Sequence, residues 1–227
     1  MSVLQKLITL LPSLRRERDE KSGRDSRGTG GTETALPPAQ WLVIGLGNPG
    51  AKYAGTRHNI GYLVIDRLLD RYPGNELRGI PGIKAKVARV DIADHGVLLV
   101  RATTYMNLSG QAVGPLATSY GIPEDHVIAV HDELDLPTGK VKIKVGGNEN
   151  GHNGLKSITE TLGTHDYVRV RLGIGRPAPG TGVVEHVLSA LDTGHHWETT
   201  ADNAADAVEA VVQRGVSAAQ NEIHSRG

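Results

Sequence analysis

The sequence predicts an α/β protein built as a single domain, a mixed twisted β-sheet flanked by helices. Three observations carry that expectation. Short apolar runs with strand character recur along the chain, separated by stretches whose apolar residues repeat at helical spacing. One pair of runs is joined closely enough to form a hairpin, which pairs strands antiparallel, whereas crossover helices return strands in parallel. Both connections in one chain imply a mixed sheet with helices on its faces. At 227 residues the length suits one domain with a proper core, and no internal repeat divides it.

The elements follow in order. Residues 41–44 form an apolar strand. Ile60, Leu63, Val64 and Leu68 then repeat at helical spacing, with Asn59 as the N-cap. Residues 83–92 and 97–100 flank Asp94-His95-Gly96, a hairpin signal. Residues 111–120 read as a helix closed by Gly121 and Pro123. Residues 127–130 are a short buried strand that runs directly into His131-Asp132. Residues 141–145 alternate strictly and predict a half-exposed strand. Residues 155–162 form a helix closed by Gly163, residues 167–172 alternate again, and the tail from about Trp197 to Ile223 is helical.

The first forty residues differ from the rest. Val3-Leu4, Leu7-Ile8 and Leu10-Leu11 sketch a short amphipathic helical pattern, interrupted by Lys6 and Pro12 and too short to span a membrane. No basic start or small-residue cleavage site marks a secretory signal, and Glu17, Asp19 and Glu20 disfavour a transit peptide. Residues 22–40 are rich in Gly, Ser, Thr and Pro, a composition that buries too little apolar surface to order itself. Residues 1–40 are therefore expected to be a flexible extension, and residues 41–227 the folded domain.

Composition removes several chemistries. Cysteine is absent, which excludes a thiol nucleophile, a disulfide framework and cysteine-ligated zinc. The formal net charge is zero, so the total does not advertise nucleic acid, but the distribution does. Residues 139–181 carry seven Lys/Arg against three Asp/Glu, while residues 182–227 carry two against seven. A basic segment beside an acidic tail points to RNA.

Four polar clusters terminate the apolar segments. The first is Gly45-Leu46-Gly47-Asn48-Pro49-Gly50-Ala51-Lys52-Tyr53, followed by Thr56-Arg57-His58-Asn59. Downstream stand Thr104-Tyr105-Met106-Asn107-Leu108-Ser109-Gly110, His131-Asp132-Glu133-Leu134-Asp135 and Gly151-His152-Asn153-Gly154. The first satisfies the G-x-G-x-x-G pattern after a strand. A dinucleotide loop, however, leads straight into a helix whose N–H groups hold pyrophosphate. Here Pro49 removes a donor and the helix starts only near Asn59 or Ile60, so the glycines instead let the chain turn and aim Asn48 into a cleft. His195-His196 lacks the carboxylates of a metal site.

His58 is the candidate general base, since an imidazole takes a proton from water near neutral pH without an extreme shift. Its place at a helix start disfavours the imidazolium. It needs a carboxylate to fix its tautomer, and Asp132, at the end of a buried strand, competes for that role with Glu133 and Asp135. Asn48, Asn107 and Asn153 each offer a donor and an acceptor without charge, although Asn107 and Asn153 also fit ordinary helix caps.

In this order the four clusters resemble the bacterial-type peptidyl-tRNA hydrolases, from about Trp41 to the last helix. The resemblance implies hydrolysis of the ester between an N-blocked aminoacyl or peptidyl group and tRNA, which recycles tRNA from stalled translation. It selects Asp132 to orient His58. It implies that Asn48 distinguishes blocked from free aminoacyl-tRNA, that Asn107 and Asn153 grip the substrate, and that Tyr53 and Tyr105 contact the tRNA end. Stacking on a terminal base or ribose is the physical use of such rings. Lys142, Lys144 and Arg171 are candidates for the phosphates of the acceptor arm, against the alternative of a solvated face. One departure stands in residues 146–153, where Glu149 adds negative charge and Asn148 and Asn150 stiffen a loop usually richer in glycine.

The expected protein is a cytoplasmic, monomeric, metal-independent hydrolase without cofactor or membrane partner, acting on peptidyl-tRNA. No G-x-S-x-G elbow supports a serine nucleophile. The rival from another class is an inactive RNA-binding relative serving in assembly or splicing. His58 and Asp132 oppose it, because binding alone needs no base.

Overall fold

Seven strands hydrogen-bond in the order β2-β3-β4-β1-β5-β7-β6 in a computed structural model that describes residues 36–226. The strands are β1 (Trp41–Gly45), β2 (Arg78–Gly79), β3 (Ala85–Ile92), β4 (His95–Ala102), β5 (Val127–Glu133), β6 (Val141–Val145) and β7 (Val168–Gly173). The helices are α1 (Ile60–Arg71), α2 (Gly110–Tyr120), α3 (Asn153–Leu162), α4 (Val183–Leu188), α5 (Trp197–Arg214) and α6 (Val216–Ser225). β1 pairs in parallel with β4 and β5, and β5 with β7, whereas β3 and β6 run antiparallel to their neighbours. The sheet is mixed, as expected. Residues 1–35, and with them most of the proposed extension, lie outside the described residues; from Pro38 onward the chain forms one compact unit.

The two-residue period of a strand explains both layers. Val43, Val97, Leu99, Ile128 and Val130 point to one face and share a core with Ile60, Val64 and Leu68 of α1 and Ala204, Val208 and Val211 of α5. The intervening Leu42, Ile44, Leu98 and Val100 are equally buried on the opposite side, where α2 packs on β1 and β4 and against α3. β6 is an edge strand, and α6 covers it. The Ile143 N–H donates to His224 Nε2 at 3.0 Å, and Gln220 Nε2 donates to the Ile143 carbonyl at 3.1 Å. These contacts satisfy an edge that would otherwise template association.

Several local expectations are corrected. The hairpin turn falls at Ala93-Asp94 rather than Asp94-His95-Gly96, with Ala93 at φ 52°, so β4 starts at His95. The helical tail breaks at Gly215, whose φ of 78° ends α5 and reorients α6. α4 was unanticipated because none of its residues is buried, so no core periodicity announces it.

One close approach sets up the site. A Cβ on Gly61 would lie 2.5 Å from both Leu46 N and Val130 O, so only glycine lets α1 cross the ends of β1 and β5 at this distance. The N-terminus of α1 is thereby pressed against the carboxyl ends of the two central strands. That is where an open parallel sheet offers a crevice for ligands.

Candidate active site

The crevice occupies about 840 Å³ and is lined by Asn48, His58, Tyr105, Asn107, Asp132, His152 and Asn153, among others. His58 sits in a short 3-10 turn (Arg57–Asn59) leading into α1, and Asp132 near the end of β5. The two are 74 residues apart in sequence, yet His58 Nδ1 donates to Asp132 Oδ1 at 2.9 Å and lies 3.1 Å from Oδ2. An ionised carboxylate only accepts, so the proton resides on Nδ1 and Nε2 keeps its lone pair. That is the tautomer a general base requires.

Burial alone would lower the pKa of His58, but the charge of Asp132 and its hydrogen bond outweigh burial and raise it above the usual 6.5. The direction is opposite to that expected from the helix start, because a full charge in contact outweighs a partial dipole charge. Asp132 is itself buried, which would raise its pKa, yet the charges and hydrogen bonds of His58 and His152 hold it far below the carboxylate range.

His152 is the residue that sequence reasoning left without a role. Its Nδ1 accepts from the N–H groups of Gly154 and Leu155 at 3.2 and 3.4 Å, capping α3. The remaining nitrogen, Nε2, therefore carries the proton and donates it to Asp132 Oδ1 at 3.0 Å. Asp132 thus lies between two imidazoles. The available signal was a histidine placed directly before a helix inside one of the four motifs. Donor atoms of His58, Asp132 and His152 lie within 4.8 Å of one another, a spacing that could admit a divalent cation. The tautomer opposes this. A metal at Nε2 must displace its proton while Nδ1 still serves two helix N–H groups. Beside them His131 is buried neutral, its Nδ1 donating to the Asp132 carbonyl at 2.7 Å and its pKa pushed down to about 3, chiefly by burial.

Asn48 is fixed on three sides. Asn59 does not cap α1; its side chain accepts from the Asn48 N–H at 2.8 Å and donates to the Asn48 carbonyl at 2.9 Å. Asn48 Oδ1 accepts from the Met106 N–H at 2.8 Å, which leaves the amide nitrogen as the group it can offer the cleft. Asn107 and Asn153 are exposed at the rim, and neither acts as a cap, since His152 fills that position for α3. Tyr105 is 60 % exposed and meets Tyr53 edge-on at 6.5 Å between ring centres. Opposite them, Val183, Val184, Val187 and Leu188 of α4 supply an apolar wall. Arg57 ties that wall to the turn carrying His58, donating to Ser189, Ala190 and Asp192.

The basic candidates divide. In the β6–β7 register Lys142 faces Arg171 and Lys144 faces Arg169, so all four belong to one strip. Lys142 and Lys144 form no ion pair among the described residues. Arg171 does not stand free: its Nε and Nη2 donate to Glu133 Oε2 at 2.9 and 2.8 Å. Arg169 is buried. Glu149 turns toward His165, 3.0 Å away. The acidic tail is also engaged: Asp206 and Glu209 pair with Arg71 at 2.8 Å, and Glu198 with Arg67 at 2.9 Å. Much of its charge is therefore neutralised by α1.

No helix among the described residues is long and apolar enough to cross a membrane. A family model described as peptidyl-tRNA hydrolase matches residues 42–227. Peptidyl-tRNA hydrolase 2 of Corynebacterium glutamicum is 54 % identical over 191 residues, spanning 84 % of this chain and 91 % of the relative. The namesake in Corynebacterium jeikeium is 52 % identical, over 82 % of this chain and 80 % of its own. The crystal structure of peptidyl-tRNA hydrolase from Acinetobacter baumannii superposes with a TM-score of 0.73 at 36 % identity, covering 83 % of this chain and 97 % of the other. Sequence, fold and the matched span agree, and the chain belongs to the peptidyl-tRNA hydrolase family.

Proposed function

We propose that this protein hydrolyses the ester between a peptidyl or N-blocked aminoacyl group and tRNA, with His58 as general base. The observation that supports this most directly is the carboxylate of Asp132 fixing His58 Nδ1–H, so that the free Nε2 faces a cleft lined by amides. A water beside Nε2 gives up its proton there while its oxygen bonds to the ester carbonyl carbon. The carbonyl electrons move to an oxyanion, for which the Asn48 amide nitrogen is a donor. Collapse of that intermediate breaks the ester bond, and the ribose oxygen leaves with the proton held by His58. Asp132 stabilises the imidazolium between these steps.

Asn107 and Asn153 on the rim serve to hold the peptide backbone, Tyr53 and Tyr105 to stack on the tRNA terminus, and Lys142 and Lys144 to meet phosphates. Arg171 contributes to that strip through a charge already shared with Glu133. The protein works in this reading as a cytoplasmic monomer without metal. The test is release of peptide from purified peptidyl-tRNA by the purified protein, with and without chelator. Release that survives chelation supports the scheme. Failure to release peptide overturns the reaction, and loss on chelation restored by zinc overturns the water activation.

A further inference from the structure

Arg169 is 2 % exposed, among the largest fully buried side chains of the described residues, and no carboxylate among them forms an ion pair with it. Burying a charged group costs free energy unless it is well satisfied. Its bonds go to a specific place. Nη2 donates to the Gly147 carbonyl and Nη1 to the Asn148 carbonyl, both at 2.8 Å, and the guanidinium stacks 4.8 Å over the ring of Tyr167. Tyr167, also buried, shares a hydrogen bond with Thr159 and donates to the Leu155 carbonyl, both in α3.

The segment so held, residues 146–152, has two hydrogen bonds of its own, from the Asn150 N–H to Asn148 Oδ1 and from the His152 N–H to the Glu149 carbonyl, both at 2.9 Å, and neither ties it to the sheet beneath. Gly146 and Gly147 adopt φ of 65° and 90°, and Asn150 φ of 50°, conformations that turn consecutive peptides in unusual directions. The segment ends on His152, which donates to Asp132, and on Asn153 at the cleft rim. The charged groups around the clamp include Lys144, Glu149, Asp166 beside Gly146, and His165, the last also 3.1 Å from the Gly147 carbonyl. Glu149 thereby brings negative charge to the base of the loop, close to the buried guanidinium, which accounts for an acidic residue here.

We infer that Arg169 is a positioning residue for the reaction proposed above: by gripping two successive carbonyls from beneath, it sets the loop that aims His152 at Asp132 and Asn153 at the substrate. Arginine suits this role because its planar fork serves two carbonyls at once, whereas a lysine ammonium is a single point on a narrower stem. Misplacing a positioned group by about 1 Å costs on the order of 10²-fold in rate.

The experiment compares wild type, Arg169→Lys, Gly147→Ala and His152→Ala, each first checked for folding by melting. The alanine at Gly147 strains the loop, since it sits at φ 90°; its added Cβ would also crowd Lys144 Nζ at 2.6 Å, so for this variant the His58 titration decides rather than kcat/KM. The variant covers the case in which Arg169→Lys fails to fold. Two readouts are taken: KM and kcat on peptidyl-tRNA, and the titration of the His58 ring by NMR, which needs no turnover. When the loop slips, His152 withdraws its N–H from Asp132, the carboxylate acts more strongly on His58, and the His58 titration moves to higher pH. Expected is a kcat/KM lowered by about 10²-fold, with the His58 titration displaced toward that of His152→Ala in each folded loop variant. A folded Arg169→Lys or Gly147→Ala whose His58 titration matches wild type overturns the positioning role. If wild type releases no peptide, the proposed reaction fails, and the NMR comparison still decides the role of Arg169.

Discussion

His152 Nε2 lies 3.0 Å from Asp132 Oδ1, the oxygen that also receives His58 Nδ1–H at 2.9 Å. One carboxylate oxygen therefore serves two imidazoles, and the second draws on the charge available to the first. Activity and pH response should depend on all three residues.

His58→Ala should remove most turnover and leave tRNA binding nearly unchanged. A positioned general base contributes about 10²–10⁴ in rate. Single-turnover hydrolysis beside equilibrium tRNA binding checks this, and near-normal hydrolysis in the variant would sink the mechanism.

The pH profile has a defined sign. Neutral His58 is the active form, and Asp132 raises its pKa above 6.5, so kcat/KM should climb with pH through a midpoint above 6.5 and then level off. In Asp132→Asn the raising charge is gone and burial remains, so the midpoint moves to lower pH while the plateau falls by about 10²-fold or more as the tautomer is lost. An unmoved midpoint would assign the carboxylate role to Glu133 or Asp135 instead.

His152→Ala should move the midpoint the opposite way. Without the second N–H, the full charge of Asp132 acts on His58 and the limb shifts to higher pH. The variant also loses the α3 cap, at a cost of about 1 kcal/mol. Profiles of kcat/KM against pH, with melting curves for stability, separate the two effects.

Charge removal should separate the basic strip by partner. Neutralising Lys142 or Lys144 should raise KM and flatten its salt dependence with kcat little changed at saturation. Arg171→Gln should do less for salt dependence and more harm to stability, because it strands Glu133 in a buried position. KM for full-length peptidyl-tRNA over a salt series is the measurement. Identical slopes for all variants and wild type would make the strip an ordinary solvated face.

Most of the strand and helix order was legible because periodicity is local: the alternation of residues 141–145 and the helical repeat from Ile60 to Leu68 need no knowledge of the rest of the chain. His58 and Asp132 could be named as chemistry-bearing residues at element ends, and the strand running into His131-Asp132 already placed the carboxylate. Partnership is another matter, because a side chain's role depends on what the fold sets beside it. Asn59 resembled a cap and became the clamp on Asn48, 11 residues away. Arg171 resembled a free cation until β5 brought Glu133 across from 38 residues upstream. The acidic tail resembled a field of its own until α1 met it with Arg67 and Arg71. Local pattern encodes which way a residue points, and only the packed sheet, closed over Gly61, decides which charge it meets there.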